Sequence, residues 1–299
     1  MGARVFGAAL EAAIRDLPGG LRTRFAPAPT GYLHLGHVAN AVVTWNVARA
    51  TGGRVVLRLE DHDRQRCRPE LEAALLDDLE ALGFEPDEPP IASFRDPGPS
   101  AHRQSDNGPA FEAAVGELDA QGLVYACDCS RSTFSIWAAG QGHRWSGPGC
   151  PGGCRERQLG KDATGVAWRV ALGAGDEGWT DLVLGARAGP VAPGGDLPIR
   201  DRRGNWTYAL CVVVDDLRHG IDLVVRGEDL LEATPAQVRL GRFLGREAPP
   251  RFLHHPLIRR PDRRKLSKAD GATAVRELIA AGTPAGEVRR RAAQAIGLA

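Results

Sequence analysis

A chain of 299 residues with 38 basic and 37 acidic side chains has room for one large α/β domain carrying an insertion, or for two modest domains. Its near-zero net charge excludes a global field that would draw it to nucleic acid, so any such contact must come from local patches. No run approaches the roughly 18 apolar residues of a membrane span, and the N-terminus lacks a basic-then-apolar secretory pattern, which points to a cytoplasmic chain with no membrane partner. Six cysteines, four of them close together, fit a metal site in a reducing compartment better than a disulfide framework.

Phe6, Leu10, Ile14 and Leu17 recur at helical spacing, which predicts a short amphipathic helix closed by Pro18-Gly19-Gly20. Residues 1–20 are read as an N-terminal extension without chemistry. Leu21–Phe25 reads as the end of a strand, and Ala39–Ala50 as a helix closed by Gly52 and Gly53. Between them lies Arg24–His37, RFAPAPTGYLHLGH. Pro27, Pro29 and Gly31 make a tight loop that aims the N–H groups of the next helix out of the sheet, toward an anion. His34 and His37 lie three apart across the helix start, and Gly36 leaves room for a ligand. Two imidazole donors at a helix N-terminus suit a polyphosphate, although an isolated His-x-x-His is equally compatible with two caps on a buried turn.

Arg54–Leu59 is an apolar-rich strand that delivers Glu60-Asp61-His62-Asp63 at its carboxyl end, where parallel sheets bind ligands. A carboxylate there can neutralise a substrate ammonium or form a solvated acidic turn. Pro69–Leu82 is a scaffold helix with Leu71, Leu75, Leu79 and Leu82 inward, 85–99 is a Pro-rich loop, and Pro109–Gln121 is a helix with Phe111, Val115 and Leu118 inward.

Cys127-Asp-Cys129 and Cys150-Pro-Gly-Gly-Cys154 form two short pairs. Four thiolates at tetrahedral reach favour one closed, structural zinc site, with four unrelated thiols as the alternative. Cys67 and Cys211 read as ordinary thiols. Val166, Trp168 and Val170, then Trp179, Leu182 and Leu184, alternate as strands. Residues 115–203 are therefore read as an inserted subdomain between two halves of a nucleotide-binding fold, 21–114 and 204–255. In the second half, Tyr208 opens a helix from which Asp215 and Asp216 leave toward solvent or substrate. Ile221–Arg226 is a strand with Arg226 at its carboxyl end, and Thr234-Pro235 caps and starts a further helix. Residues 256–299 comprise a basic loop with Lys265-Leu-Ser-Lys268-Ala269 and a short helical tail.

RFAPAPTGYLHLGH together with KLSKA resembles the two signatures of class I aminoacyl-tRNA synthetases. The Ala-Pro-x-Pro-Thr-Gly form, and the pattern Tyr208, Val-Val-Asp-Asp and Val-Arg-Gly-x-Asp, are similar to the glutamyl branch. The resemblance covers about residues 21–270 and implies a Rossmann-like α/β catalytic domain with an inserted zinc-bearing α+β subdomain. It implies that Arg24, Phe25, Ala26, Pro27, Ala28, Glu60, Tyr208 and Arg226 bind L-glutamate. It further implies that His34, Gly36, His37 and Lys268 bind ATP with Mg2+, and that His34, His37, Lys265 and Lys268 act in catalysis. Cys127, Cys129, Cys150 and Cys154 would hold zinc, with Cys150 standing where the family commonly has a Tyr. Charge agrees with that substrate: glutamate carries two carboxylates and one ammonium, matched by two arginines, a phenol and a carboxylate.

The sequence departs from the family at Ala28, usually Ser, at Ala209, often Asn, and at Asn107, Leu266 and Ala269. The short tail is similar to that of truncated paralogues, which lack an anticodon-reading region, activate glutamate without tRNA and join it to the queuosine base of tRNA(Asp). On this reading the chain works as a monomer. Arg155, Arg157, Arg200, Arg202, Arg203, Arg259, Arg260, Arg263 and Arg264 are candidate phosphate contacts. Three other readings use parts of the same pattern: a small discriminating glutamyl-tRNA synthetase charging tRNA(Glu), a nucleotidyltransferase of the superfamily, and a zinc-containing RNA-binding protein without activity.

Overall fold

The computed structural model describes residues 3–140, 142, 149–191, 195–259 and 273–298. Lys265, Lys268, Ala269, Arg260, Arg263 and Arg264 lie outside them. The first elements are α1 (Ala3–Arg15), β1 (Arg22–Phe25), α2 (Leu35–Ala50), β2 (Arg54–Leu57), α3 (Pro69–Ala81) and α4 (Gly108–Ala120). Then come β3 (Val124–Cys127), α5 (Arg131–Gly140), β4 (Ala167–Val170), β5 (Asp176–Asp181), β6 (Gly185–Pro190) and β7 (Leu197–Arg200). The chain closes with α6 (Tyr208–Arg218), β8 (Leu223–Gly227), α7 (Thr234–Phe243), β9 (Arg251–His255), α8 (Val275–Ala280) and α9 (Ala285–Ile296).

The main sheet has the order β2-β1-β8-β9-β5-β6, parallel except for the terminal β5–β6 hairpin. Successive residues on its strands point to opposite faces, and both faces are covered. Val55, Leu57, Leu223, Val225 and Leu253 join α2, α3 and α9 in the largest core cluster, whereas Val56, Val224 and Phe252 meet Trp179 and Val238 on the other side. Chain order reverses at β1, with β2 on one side and β8 on the other. Such a switch point opens a crevice at the carboxyl ends of the strands. The return from α2 into β2 passes so close to β1 that a Cβ on Gly53 would sit 2.3 Å from the Leu21 carbonyl oxygen.

Several expectations are corrected. The Trp179 hairpin does not belong with the inserted sheet. Asp181 pairs with Phe252 of β9, so β5 and β6 extend the main sheet, while β3, β4 and β7 form a separate three-stranded sheet. The expected insert over 115–203 is thus shared between two sheets. Asp215 and Asp216 do not leave their helix for solvent; both lie within α6, at 0% and 5% exposure, because buried arginines receive them. Thr234 is the first residue of α7 and makes no cap bond, its hydroxyl being engaged by Arg226. The two ends of the chain are not appendages: Phe6 and Leu10 of α1 and Val288, Ala292 and Ile296 of α9 share the main core.

Candidate functional site

A cleft of about 450 Å³ opens at the carboxyl ends of β1, β8 and β9. It is lined by Arg24 and Phe25 at the end of β1 and Ala26, Pro27 and Ala28 after it, by His34, Gly36 and His37 at the start of α2, and by Glu60, Tyr208 and Arg226. Every described residue expected to meet glutamate or ATP therefore borders one cavity. Ala39, Asn40, Val225, Gly227, Asp229, Leu230 and the segment 255–258 complete the wall.

The helix start is a double cap. The Gly36 N–H donates to His34 Nδ1 at 3.0 Å and the His34 N–H donates to His37 Nδ1 at 3.1 Å. The rings lie 4.0 Å apart. A nitrogen that accepts a backbone N–H carries no proton, so each neutral ring bears its hydrogen on Nε2 and is a donor there. The histidines do cap the turn, and the capping is what turns their donor atoms into a defined pair at the cleft. A Cβ on Gly36 would press to 2.9 Å from the His34 ring, so the glycine protects this arrangement.

Three buried arginines organise the floor. Arg24 donates from Nε to Asp216 at 3.1 Å and from Nη1 to the Val225 carbonyl at 3.0 Å. Arg58, with no exposed surface, bridges Asp216 at 2.7 Å and Glu60 at 3.0 Å, with Asp215 4.0 Å from its Nε. Burial alone would lower the pKa of Arg58, but these three carboxylates outweigh it and hold the group cationic. Burial likewise pushes Asp216 up while Arg24 and Arg58 pull it below the usual carboxylate range, and the pull wins. Asp215 goes the other way: burial raises it despite Arg58, the Gln104 amide and Arg218.

Arg226 differs from both. Its Nε lies 3.0 Å from His254 Nε2, and its terminal nitrogens donate to Gln237 Oε1 at 2.5 Å and Thr234 Oγ1 at 2.8 Å. Among the described residues its hydrogen-bond partners include no carboxylate, and burial lowers its pKa. Tyr208 stands beside it with a pKa raised by burial and then by Glu60, so the phenol stays protonated. A buried cation held only by neutral acceptors is costly until an anion arrives.

Sequence reasoning missed Arg58, which sits inside an apolar strand pattern, and also Gln237 and His254. Gln104 is a further such residue; it is buried, and its amide donates to Asp215 at 3.0 Å.

The second cluster lies apart from the cleft. The thiols of Cys127, Cys129, Cys150 and Cys154 all fall within 4.8 Å of one another, with the Sγ atoms of Cys129 and Cys154 at 3.2 Å. A tetrahedron of bonds of about 2.3 Å needs edges of about 3.8 Å, so the four sulfurs fit a zinc ion with slight adjustment. β3 delivers Cys127, and a bridge between Cys150 and Asp196 anchors the second pair. Burial pushes Cys129 up to about 11, and the contact with Cys127, then burial, pushes Cys150 up. The contact with Cys150 holds Cys127 below the usual thiol range, and the two thiols that resist ionisation are what a divalent cation would relieve. Asp196 also accepts from Tyr125 at 2.7 Å and from Arg155.

Several candidate phosphate contacts are already engaged. Arg155 pairs with Asp196, Arg157 with Asp128 and Arg259 with Glu228, while Arg200 lies between the rings of Trp168 and Trp206. Arg202 donates to the Asp128 carbonyl and Arg203 to Gln65. No described helix is long and apolar enough to cross a membrane.

The family described as tRNA synthetases class I (E and Q), catalytic domain, matches residues 20–136 and 172–286. The Glutamyl-Q tRNA(Asp) synthetase of Symbiobacterium thermophilum is 40% identical over 87% of this chain and 81% of its own length. Glutamate--tRNA ligase 1 of Acidithiobacillus ferrooxidans is 38% identical over 86% of this chain but 53% of its own. The solved glutamate tRNA ligase of Elizabethkingia meningosepticum superposes with a TM-score of 0.70 at 27% identity, covering 84% of this chain and 52% of that one, so the chain spans about half the length of that structure. With the class I match over both halves of the sheet and relatives of this identity, the chain is a ligase-type enzyme of the class I tRNA synthetases and belongs to the glutamyl-Q tRNA(Asp) synthetase family.

Proposed function

We propose that this enzyme activates L-glutamate with ATP in the absence of tRNA and transfers the glutamyl group to the queuosine base of tRNA(Asp). The observation that carries the first half is Arg226, a buried guanidinium with neutral partners in a cleft that also holds Arg24 and Glu60. The glutamate side-chain carboxylate supplies the missing countercharge, Glu60 faces the ammonium, and Tyr208 orients the ligand between them. Bound this way, the α-carboxylate turns toward the double-capped start of α2.

There the Nε2–H groups of His34 and His37 and the helix N-terminus hold the triphosphate of ATP, which brings Mg2+ with it. A carboxylate oxygen of glutamate attacks the α-phosphorus, and pyrophosphate leaves. The chain's work is alignment and neutralisation of charge, with Lys265 and Lys268 assigned to the leaving pyrophosphate. Cys127, Cys129, Cys150 and Cys154 are assigned one zinc ion, whose contribution is structural cross-linking of the Cys-bearing loops.

The acceptor assignment draws its support from the relatives named Glutamyl-Q tRNA(Asp) synthetase. Pyrophosphate exchange with ATP, Mg2+ and glutamate should proceed without tRNA, with aspartate and glutamine poor substitutes. Labelled glutamate should then pass to tRNA(Asp) containing queuosine and not to the same tRNA lacking it, and the product, once formed, should survive periodate treatment of the terminal ribose. Exchange that requires tRNA, with charging of tRNA(Glu) at its terminal adenosine, would replace this reading by that of a glutamate–tRNA ligase.

A further inference from the structure

We propose that Asp181 and His254 form a positioning pair that orients Arg226 and thereby sets selectivity for an acidic substrate side chain. This deepens the glutamate reading and rests on it. Asp181 is the last residue of β5, brought under the site because the β5–β6 hairpin pairs with β9 rather than with the smaller sheet. One carboxylate oxygen accepts the N–H groups of Val183 and Leu184 at 3.0 and 2.9 Å; the other accepts the His254 N–H at 3.2 Å and lies 2.6 Å from His254 Nδ1. Neither side chain has exposed surface.

The proton count on the ring follows from its two neighbours. An arginine Nε–H can only donate, so the His254 Nε2 at 3.0 Å from it must be an acceptor. The ring hydrogen is therefore on Nδ1, where the Asp181 carboxylate accepts it. A single neutral tautomer satisfies both contacts, and burial favours the neutral ring. An imidazolium, or the opposite tautomer, would set one donor against another at Arg226. Phe252 closes the arrangement: it stacks on the His254 ring with an interplanar angle of 11° and lies 5.1 Å beneath the Arg226 guanidinium.

With Nε pinned by His254, Thr234 and Gln237 take one N–H from each terminal nitrogen. Arginine has five N–H groups, so one remains on each terminal nitrogen for Tyr208 and a ligand carboxylate. Rotation of the guanidinium about its stem would misdirect both. Asp181 thus acts on the substrate through two other side chains without touching it.

The pair can be tested on the full-length enzyme by two independent readouts. Nitrogen-15 NMR of histidine-labelled protein should show His254 neutral with its hydrogen on Nδ1; a ring protonated on Nε2, alone or together with Nδ1, overturns the proposal whatever the enzyme's substrate. In pyrophosphate exchange, His254→Leu should raise the KM for glutamate by about tenfold or more, the worth of one buried hydrogen bond to a charged group, and leave the KM for ATP within about twofold. His254→Gln carries an acceptor and a donor on one side chain and should recover most of the loss. A parallel rise of both KM values, or a Gln variant no better than Leu, would show His254 to be mere packing. Absence of glutamate-dependent exchange in the parent enzyme would instead overturn the glutamate reading, and the tautomer measurement would still decide the pair.

Discussion

Two buried arginines, one just past β2 and the other on β8, are held by opposite means, and the difference sets what each does. Arg58 is compensated by Asp216 and Glu60, so removing it strands buried carboxylates; Arg58→Met should cost about 3–5 kcal/mol, read as a lower urea midpoint. Arg226 has neutral partners, and its removal strands no carboxylate. Arg226→Gln should leave the free protein within about 1 kcal/mol of the parent or more stable, while glutamate-dependent exchange falls at least about thirtyfold. A large loss of stability in Arg226→Gln would refute the idea that the substrate supplies its countercharge. Arg226 and Glu60 were legible because each stands at the carboxyl end of a strand, where α/β proteins place ligand contacts. Arg58 was not: in Arg54–Leu59 it reads as one polar residue in an apolar run, and only its complete burial reveals the role.

At the scale of elements, the helix α2 and the cysteine loops show how much a local pattern can specify. The cap at His34 and His37 lies within four residues, so the sequence contains all of it. The cysteine pairs are each local, but their meeting depends on β3, β4 and β7 forming one antiparallel sheet that brings Cys127 and the Cys150–Asp196 bridge together. Cys154→Ser should lower zinc from about one ion per chain, by elemental analysis, and reduce thermal stability. The exchange reaction should persist at moderate temperature, because the cleft is lined from β1, β8 and β9 with their following loops, the start of α2, Glu60 and Tyr208, and by none of the four cysteines. Equal metal content in parent and variant would remove the thiol site.

Over the whole molecule, stability should respond to acid through histidines. Burial lowers the pKa of His102, His219, His254 and His255, in His219 to about 3 with help from Arg58 and His102. Below about pH 6.5 the unfolded chain takes up protons that these folded rings refuse. Stability from them is therefore complete above that pH and lost as pH falls, at up to about 1.4 kcal/mol per pH unit for each ring that stays neutral. Asp78, raised by burial to about 6, works in the opposite sense: its contribution is complete below about pH 4 and lost as pH rises through about 6. Asp215, which burial also raises, works in the same sense as Asp78; four rings outweigh these two carboxylates, so urea midpoints should drop between pH 7 and pH 5, and His219→Gln should flatten the drop. A midpoint that holds or rises over that interval would contradict this balance.

Short stretches of sequence encode the Pro-bracketed loop and histidine pair, the acidic and basic residues at strand ends, the two cysteine pairs, and helices such as α3 and α4 whose apolar faces recur at a 3.6-residue period. Tertiary structure alone decided which strands lie side by side, since hydrogen bonds between strands join residues far apart in the chain. It decided that the β5–β6 hairpin extends the main sheet and so carries Asp181 to His254, and that Asp216 turns inward to Arg24 and Arg58 across 192 and 158 positions of sequence. It also decided that α1 and α9 close the main core. A buried charge is tolerated only where its partner already stands, and that partner comes from a part of the chain no local pattern can see.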